Sequence, residues 1–362
     1  KQRAPLPYNL SSLQIDAGKR FGMSAKVVLD TCQSLYENHK LITYPRSDNR
    51  YLPSAHLAQS SSVIDAIAHS SSLNHECANA NCALKSKAWN DQKVGAHHAI
   101  IPTTMQSKNT LSRAEQQVYE LICRQYLMQF YPSWEYADGV VNLDIAGGLF
   151  TTKARQTTIK GWKTLLGKFM QSKESHDSSR TLPDVTVGQV LECEKGELLE
   201  KQTKPPMPFT DATLLAAMTG ISRYVSNPEI KKVLKETDGL GTEATRAHII
   251  ELLFKRQFLE REGKNIRSTQ IGKGLIASLP ESMTLPDMTA QWEATLDKIS
   301  LKEQNYTDFM SPLQQSLLDL VEYARCNLPV GLKGLKHSKP KQFSRKRKSP
   351  RKTYTKSKKV NS

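Results

Sequence analysis

The 362-residue sequence predicts an α+β protein built of several domains. Three observations carry that prediction. The chain exceeds the roughly 250–300 residues at which a single hydrophobic core stops growing. Its apolar pattern is helical over residues 1–125, turns to short alternating runs over 126–207, and becomes helical again over 208–330. The final stretch, 331–362, holds thirteen Lys or Arg and no acidic residue, which marks it as a disordered basic tail. These four ranges are the expected domains.

The elements follow in order. Ser24 is placed to N-cap a helix whose Val28, Cys32, Leu35 and Tyr36 recur at helical spacing. The short apolar segment Leu41-Ile42-Thr43-Tyr44 comes next and is stopped by Pro45. Residues 54–69 and 111–130 repeat the helical period. Three runs, Val140–Ile145, Leu149–Ala154 and Gln189–Glu194, read as strands, interrupted by a polar loop over Ser172–Leu182. Beyond 208, Asn227 precedes a helix over Pro228–Thr237 with Pro at the favoured first position. Gly239-Leu240-Gly241 makes a turn, and Thr242 is read as opening the next helix, which carries Ala247, Ile250, Leu253 and Phe254. A hairpin is predicted from Phe258–Arg261, a turn at 262–265, and Ile266–Thr269. Helix, turn, helix and hairpin is the winged-helix order, a design for binding nucleic acid. Pro280 and Pro286 bracket a loop before a helix with Trp292, Leu296 and Ile299 facing inward. One internal similarity stands out: Pro5-Leu6-Pro7-Tyr8 followed by Ser12-Leu13-Gln14 echoes Pro206-Met207-Pro208-Phe209 followed by Thr213-Leu214-Leu215, which suggests two related modules.

Composition narrows the function. The formal net charge is +16, and without the tail it falls to about +3. A Lys/Arg/Ser/Pro stretch without apolar periodicity cannot repay its ordering entropy, but it neutralises phosphates and releases their counterions. The expected partner is therefore nucleic acid rather than a membrane: no amphipathic helix or lipidation motif accompanies the tail, and no run nears the roughly 20 apolar residues of a bilayer span. Cys32, Cys77, Cys82, Cys123, Cys193 and Cys326 are scattered without a paired C-x-x-C pattern, so reduced thiols in the cytoplasm are expected. His75, Cys77 and Cys82 make a weak metal candidate. The chain starts at Lys1 without Met or a secretory h-region, and is expected to be a fragment.

Particular residues point to chemistry. Tyrosine is a poor nucleophile near neutrality because its pKa is about 10, so a reactive Tyr needs positive charge nearby. In an extended segment residues i and i+2 share a face, which would let Tyr44 and Arg46 approach one phosphate together. Arg46 would then favour the phenolate and steady the phosphorane by a charge-assisted fork. The ordinary alternative is a surface turn with a packed Tyr. His97 and His98 are adjacent, so in most backbone conformations they point apart and make a poor metal pair, while an imidazole at His97 suits proton transfer. In Gly239–Ala247, Thr242, Thr245 and Arg246 sit at a glycine turn leading to a helix N-terminus, where free N–H groups favour phosphate; a plain N-cap is the alternative for Thr242. The pair Glu192/Glu194 reads as a charged strand face.

Four segments taken together carry a resemblance: Leu41–Asp48 with its Tyr44-Pro45-Arg46-Ser47-Asp48, Ala96–Thr103, Pro205–Phe209 followed by Thr213-Leu214-Leu215, and Gly239–Ala247. In this order and spacing they resemble the type IA DNA topoisomerases, and the Pro and Ser after Tyr44 resemble the topoisomerase III branch. The similarity covers roughly residues 4–330. It implies a toroid of which this chain supplies the Tyr-bearing winged-helix-like domain (1–125), the second part of a β-rich hinge (126–207) and the second part of a helical DNA-binding domain (208–330). It implies Tyr44 as nucleophile, with Arg46 and His97 beside it, and contacts to the DNA backbone from Thr245 and Gln33; His98 stands where relatives carry an acid and inherits no role. The implied activity is ATP-independent single-strand cleavage through a 5′-phosphotyrosyl bond, strand passage and religation, relaxing negative supercoils and decatenating DNA. Mg²⁺ is the implied cofactor, held by a Toprim domain whose D-x-D pair this sequence lacks, so the isolated chain is expected to be inactive by itself. Single-stranded DNA at the cleavage site and other DNA-processing proteins are the implied partners. The competing function is a non-enzymatic winged-helix DNA-binding protein with a basic tail. A tyrosine recombinase or relaxase fits less well, for neither the dispersed Arg set nor a His triad is visible.

Overall fold

The computed structural model describes residues 1–166, 182–225, 227–236, 239–327 and 332–334. The expected basic tail therefore lies outside the described residues apart from 332–334, as does the Ser172–Leu182 loop apart from Leu182.

The first part of the chain is helical around one large core. Helix α1 (Leu10–Phe21) begins at Asn9, whose side chain accepts from the Ser12 N–H while Ser12 caps in return, and ends at Gly22 with φ +69°. Leu10, Leu13 and Ala17 fall on its buried face at the i, i+3, i+7 spacing that a helix turns inward. Helix α2 (Ala25–Glu37) starts at Ser24 as predicted, with Ser24 accepting from the Val27 N–H. Its Val28, Cys32 and Leu35 are fully buried, but Tyr36 is 36% exposed and faces out. The 54–69 region forms a 3₁₀ turn over Ser54–Gln59 and helix α3 (Ser60–Ser70), followed by the short α4 (Asn74–Ala78). Helix α5 (Arg113–Leu127) opens on a Ser112/Glu115 capping box and is buried on most of its circumference. Together these helices enclose a cluster running in sequence from Ala4 to Leu165. Each fully buried Leu or Ile in it contributes on the order of 2 kcal/mol of transfer free energy.

The β region is smaller than predicted. Strands β1 (Glu135–Ile145) and β2 (Gly148–Ile159) form one long antiparallel hairpin. The turn residues Ala146 and Gly147 both take positive φ, +52° and +81°, which matches the twist of the flanking strands. Gln189–Glu194, predicted as a third strand, is irregular and exposed, and Glu192 and Glu194 lie on no strand face. A strand is held by the ladder of its neighbour, and among the described residues nothing pairs with this run; alternation alone did not make a strand.

Helices return with α6 (Asp211–Thr219), α7 (Pro228–Glu236) and α8 (Arg246–Lys255), then the hairpin β3 (Leu259–Glu262) and β4 (Asn265–Ser268). The winged-helix order is therefore present, with Gly263 at φ +61° in the hairpin turn. The predicted end of α7, Thr237, lies outside the described residues. Thr242 does not open α8: it begins a turn, accepting from the Thr245 and Arg246 N–H groups, and the helix starts at Arg246. After α9 (Gln270–Ser278) comes α10 (Asp287–Ser300), in which Leu296 is 43% exposed rather than inward-facing. Helix α11 (Tyr306–Cys326) was not predicted; its Leu313, Leu317, Leu320 and Val321 keep helical spacing despite Pro312, and Asp308 accepts from the Asn305 N–H at its start.

The internal echo has a structural counterpart. Tyr8 and Phe209 each form an isolated antiparallel bridge, to Ile100 and Ile266. Each is followed by a reciprocal cap, Asn9/Ser12 on α1 and Thr210/Thr213 on α6. Helices α1 and α6 then lie against each other, so closely that a Cβ on Gly18 would sit 3.0 Å from the Ala212 Cβ.

Candidate active site

Two of the four singled-out segments come together by backbone pairing. Lys40 takes a left-handed φ of +56° and turns the chain out of α2 into Leu41–Tyr44. Leu41 and Ile42 are buried. Thr43 donates its N–H to the Ile101 carbonyl at 2.9 Å and its hydroxyl to the Ala99 carbonyl at 3.0 Å, while the Thr103 N–H reaches the Leu41 carbonyl at 3.0 Å. The Tyr44 segment is thereby fastened along Ala99–Thr103, next to His97 and His98.

Aromatic contacts then fix the Tyr44 ring. His97 stacks on it with centroids 4.4 Å apart and planes 20° off parallel, and Tyr36 meets it edge-on at 6.0 Å. Tyr44 remains 36% exposed, and among the described residues no group hydrogen-bonds its hydroxyl. The expected alternation of Tyr44 with Arg46 does not hold, because Pro45 and Arg46 form a turn and the extended segment ends at Tyr44. Arg46 is exposed in that turn, and among the described residues no carboxylate pairs with it. His98 points elsewhere: its Nδ1 lies 2.9 Å from the Ala99 carbonyl and its ring meets His56 edge-on at 5.6 Å. Burial, and then the charge of His98, lower the His56 pKa. Gln33 lies half-buried on α2, one turn before Tyr36.

The third convergence was not read from the sequence. At the start of α1, the Leu10 N–H donates to the Ser47 carbonyl at 3.0 Å and the Asn9 side-chain amide to the Asp48 carbonyl at 3.2 Å, which holds the loop just after Tyr44. On the other side the Ser11 N–H donates to the Glu243 carboxylate, and Asn9 reaches the same carboxylate at 3.3 Å. Arg246 donates from Nη1 to Ser11 Oγ and to Glu243 Oε1, each at 2.9 Å, and from Nε and Nη2 to the carbonyls of Leu240 and Gly241. Burial pushes the Glu243 carboxyl up in pKa against the opposing pull of Ser11 and Arg246. Arg246 is 0% exposed. Its guanidinium, expected among the DNA contacts, is turned to partners inside the protein. Thr242 and Thr245 differ, being exposed with hydroxyls 3.1 Å apart at the outer rim of the same turn.

Cys77 is buried, with burial pushing its thiol up to about 11, whereas Cys82 is exposed. Among the described residues no group of three or more His, Cys, Asp or Glu could hold a metal ion, and no helix is long and apolar enough to cross a membrane.

The fold built by these elements has the architecture of a topoisomerase. A full-length topoisomerase I from Thermotoga maritima superposes with a TM-score of 0.58 over 89% of this chain and 51% of that one, at 18% identity, a likeness of fold alone. The family model described as DNA topoisomerase matches residues 1–311, and the chain belongs to that family. It is 53% identical over 354 residues to DNA topoisomerase 3 of Vibrio cholerae, covering 97% of this chain and 54% of that protein. It is 52% identical over 352 residues to DNA topoisomerase 3 of Haemophilus influenzae, covering 96% and 54%, and 39% identical over 306 residues to that of Bacillus subtilis, covering 83% and 42%. The chain spans about half the length of these curated relatives.

Proposed function

We propose that this chain carries the nucleophile-bearing part of a type IA topoisomerase of the topoisomerase III kind. The observation that carries the reading is the Tyr44 ring, stacked on His97 and open to solvent where the two paired segments meet. Tyr44 Oη attacks a phosphorus of single-stranded DNA; the P–O3′ bond breaks, a 5′-phosphotyrosyl ester forms, the phenolic proton leaves and the 3′-oxygen gains one. The ester retains the bond energy, so attack by the 3′-hydroxyl reseals the strand without ATP. Between the two steps another strand passes, which relaxes negative supercoils and decatenates DNA.

The residues divide the work. His97 holds the Tyr44 ring by its stack and is near enough to contact the phosphate or shuttle a proton. Arg46, exposed one turn on, offers a fork to the phosphate oxygens as charge builds. Thr242 and Thr245 present hydroxyls to the backbone of the bound strand, and Gln33 lines the α2 side. Mg²⁺ is typical of the family, but the described residues offer it no ligand cluster. The domain limits 1–125, 126–207 and 208–330, and a cytoplasmic setting on the nucleoid with other DNA-processing proteins, belong to the same reading.

Covalent trapping tests it. Labelled single-stranded DNA is incubated with the chain, with and without a Toprim-bearing segment of a topoisomerase 3 and Mg²⁺, and the products are resolved under denaturing conditions. An adduct with the wild type and none with Tyr44→Phe is the expected result. No adduct under any condition would leave only the binding function.

A further inference from the structure

The buried pair Glu243–Arg246 lies outside the chemistry just described, yet it touches both halves of the site. Its members sit on the glycine turn of the second winged-helix unit, three residues apart, with side chains 7% and 0% exposed. Glu243 caps the second N–H of α1, at Ser11, and Arg246 binds the Ser11 hydroxyl. The first N–H of the same helix, at Leu10, is taken by the Ser47 carbonyl, three residues beyond Tyr44. One helix terminus is therefore shared between two segments, its unsatisfied donors divided between the Tyr44 loop and the second unit. Arg246 also clamps the carbonyls of Leu240 and Gly241, which shape the turn presenting Thr242 and Thr245.

We propose that Glu243 and Arg246 are positioning residues that fix the Tyr44 loop relative to the Thr242–Thr245 turn through the N-terminus of α1, so that both engage one DNA strand in register. A buried ion pair adds little net stability over a well-packed apolar substitute, because desolvation consumes the Coulombic gain. Its directional bonds to Ser11, Asn9, Leu240 and Gly241 instead set one geometry. Lysine cannot replace Arg246 here, for a point charge does not supply donors along the several directions that the guanidinium fork serves. The use of that geometry by DNA rests on the proposed function; the mechanical link between the two segments does not.

Two measurements on the 362-residue chain separate these parts. In the first, amide hydrogen exchange compares wild type with Glu243→Gln, Glu243→Ala and Arg246→Lys, each checked by circular dichroism for retained helix. The link requires exchange to quicken about tenfold at Ser11 and also at Asn49 and Tyr51, beyond Tyr44, with Glu243→Gln the mildest because its amide oxygen still accepts. Quickening at Ser11 alone, with Asn49 and Tyr51 unchanged, overturns the link. In the second, fluorescence anisotropy compares short and long oligothymidylates. A strand long enough to touch both segments gains from their fixed separation, whereas a short one does not. The expected result is a long-strand affinity reduced about tenfold in Glu243→Ala and Arg246→Lys, restored towards wild type in Glu243→Gln, with short-strand affinity unchanged. An unaltered ratio in variants whose exchange has quickened overturns the positioning role. Failure of the wild type to bind any oligothymidylate would instead remove the proposed function and leave the exchange result to stand.

Discussion

Arg46 and Arg246 are the same side chain in opposite circumstances, and they should respond differently to truncation. Arg246 is fully enclosed and paired with Glu243. Arg246→Ala would strand a buried carboxylate, a loss of about 3–5 kcal/mol, visible as a lower urea midpoint. Arg46 is exposed, and Arg46→Ala should shift that midpoint by no more than about 0.5 kcal/mol equivalent. The sequence did not distinguish them. Arginine is mostly solvated, and the partners that bury Arg246 include Ser11, 235 residues away. Tyr44 was singled out by four segments that together carry one resemblance; its local signals, an apolar lead-in, a following Pro and a nearby Arg, also fit an ordinary surface turn. Its neighbour Tyr36 was not, since it matched the helix period and only the placement of Tyr44 reveals that it faces outward.

Among the elements, α5 has a start that titrates. Burial pushes the Glu115 carboxyl up, but hydrogen bonds from Ser34 and the Ser112 N–H, with His39 beyond them, outweigh this and hold its pKa at about 2. A depressed carboxylate stabilises the fold above its unfolded value, near 4.5, and that contribution is lost as pH falls towards 2. Thermal melting between those limits should therefore drop more steeply for wild type than for Glu115→Gln; parallel curves would show that Glu115 gives no such linkage. Helix caps of this kind were readable at Ser24, where one residue and its third neighbour suffice. Gln189–Glu194 failed for the converse reason. Strand formation depends on a partner distant in sequence, and alternation carries no information about whether one exists.

The molecule as a whole rests on a repeated device, in which a Pro-x-Pro-aromatic lead-in, a reciprocal cap and a helix occur twice, with the two helices in contact. Their approach depends on Gly18: a Cβ there would meet the Ala212 Cβ at 3.0 Å and the Met23 carbonyl at 3.2 Å. Gly18→Val should wedge α1 from α6 at a cost of about 1–3 kcal/mol, splitting the unfolding transition into two as the units lose their mutual support. A single transition at the wild-type midpoint would show that the contact is soft. The echo was visible in the sequence because it is a pattern repeated along the chain. That its two copies touch was not, because contact between modules is set by packing rather than by either copy.

The stack of His97 on Tyr44 has one more consequence, for magnetic resonance. Protons held over the face of an aromatic ring are shielded by its circulating electrons, so the carbon-bound imidazole protons of His97 lie upfield of those of an ordinary surface histidine. Any ligand that slides between the two rings, or draws Tyr44 away, returns those lines to their usual place. The chain thus carries a native, label-free signal at the tyrosine itself, readable by titration without waiting for a covalent product.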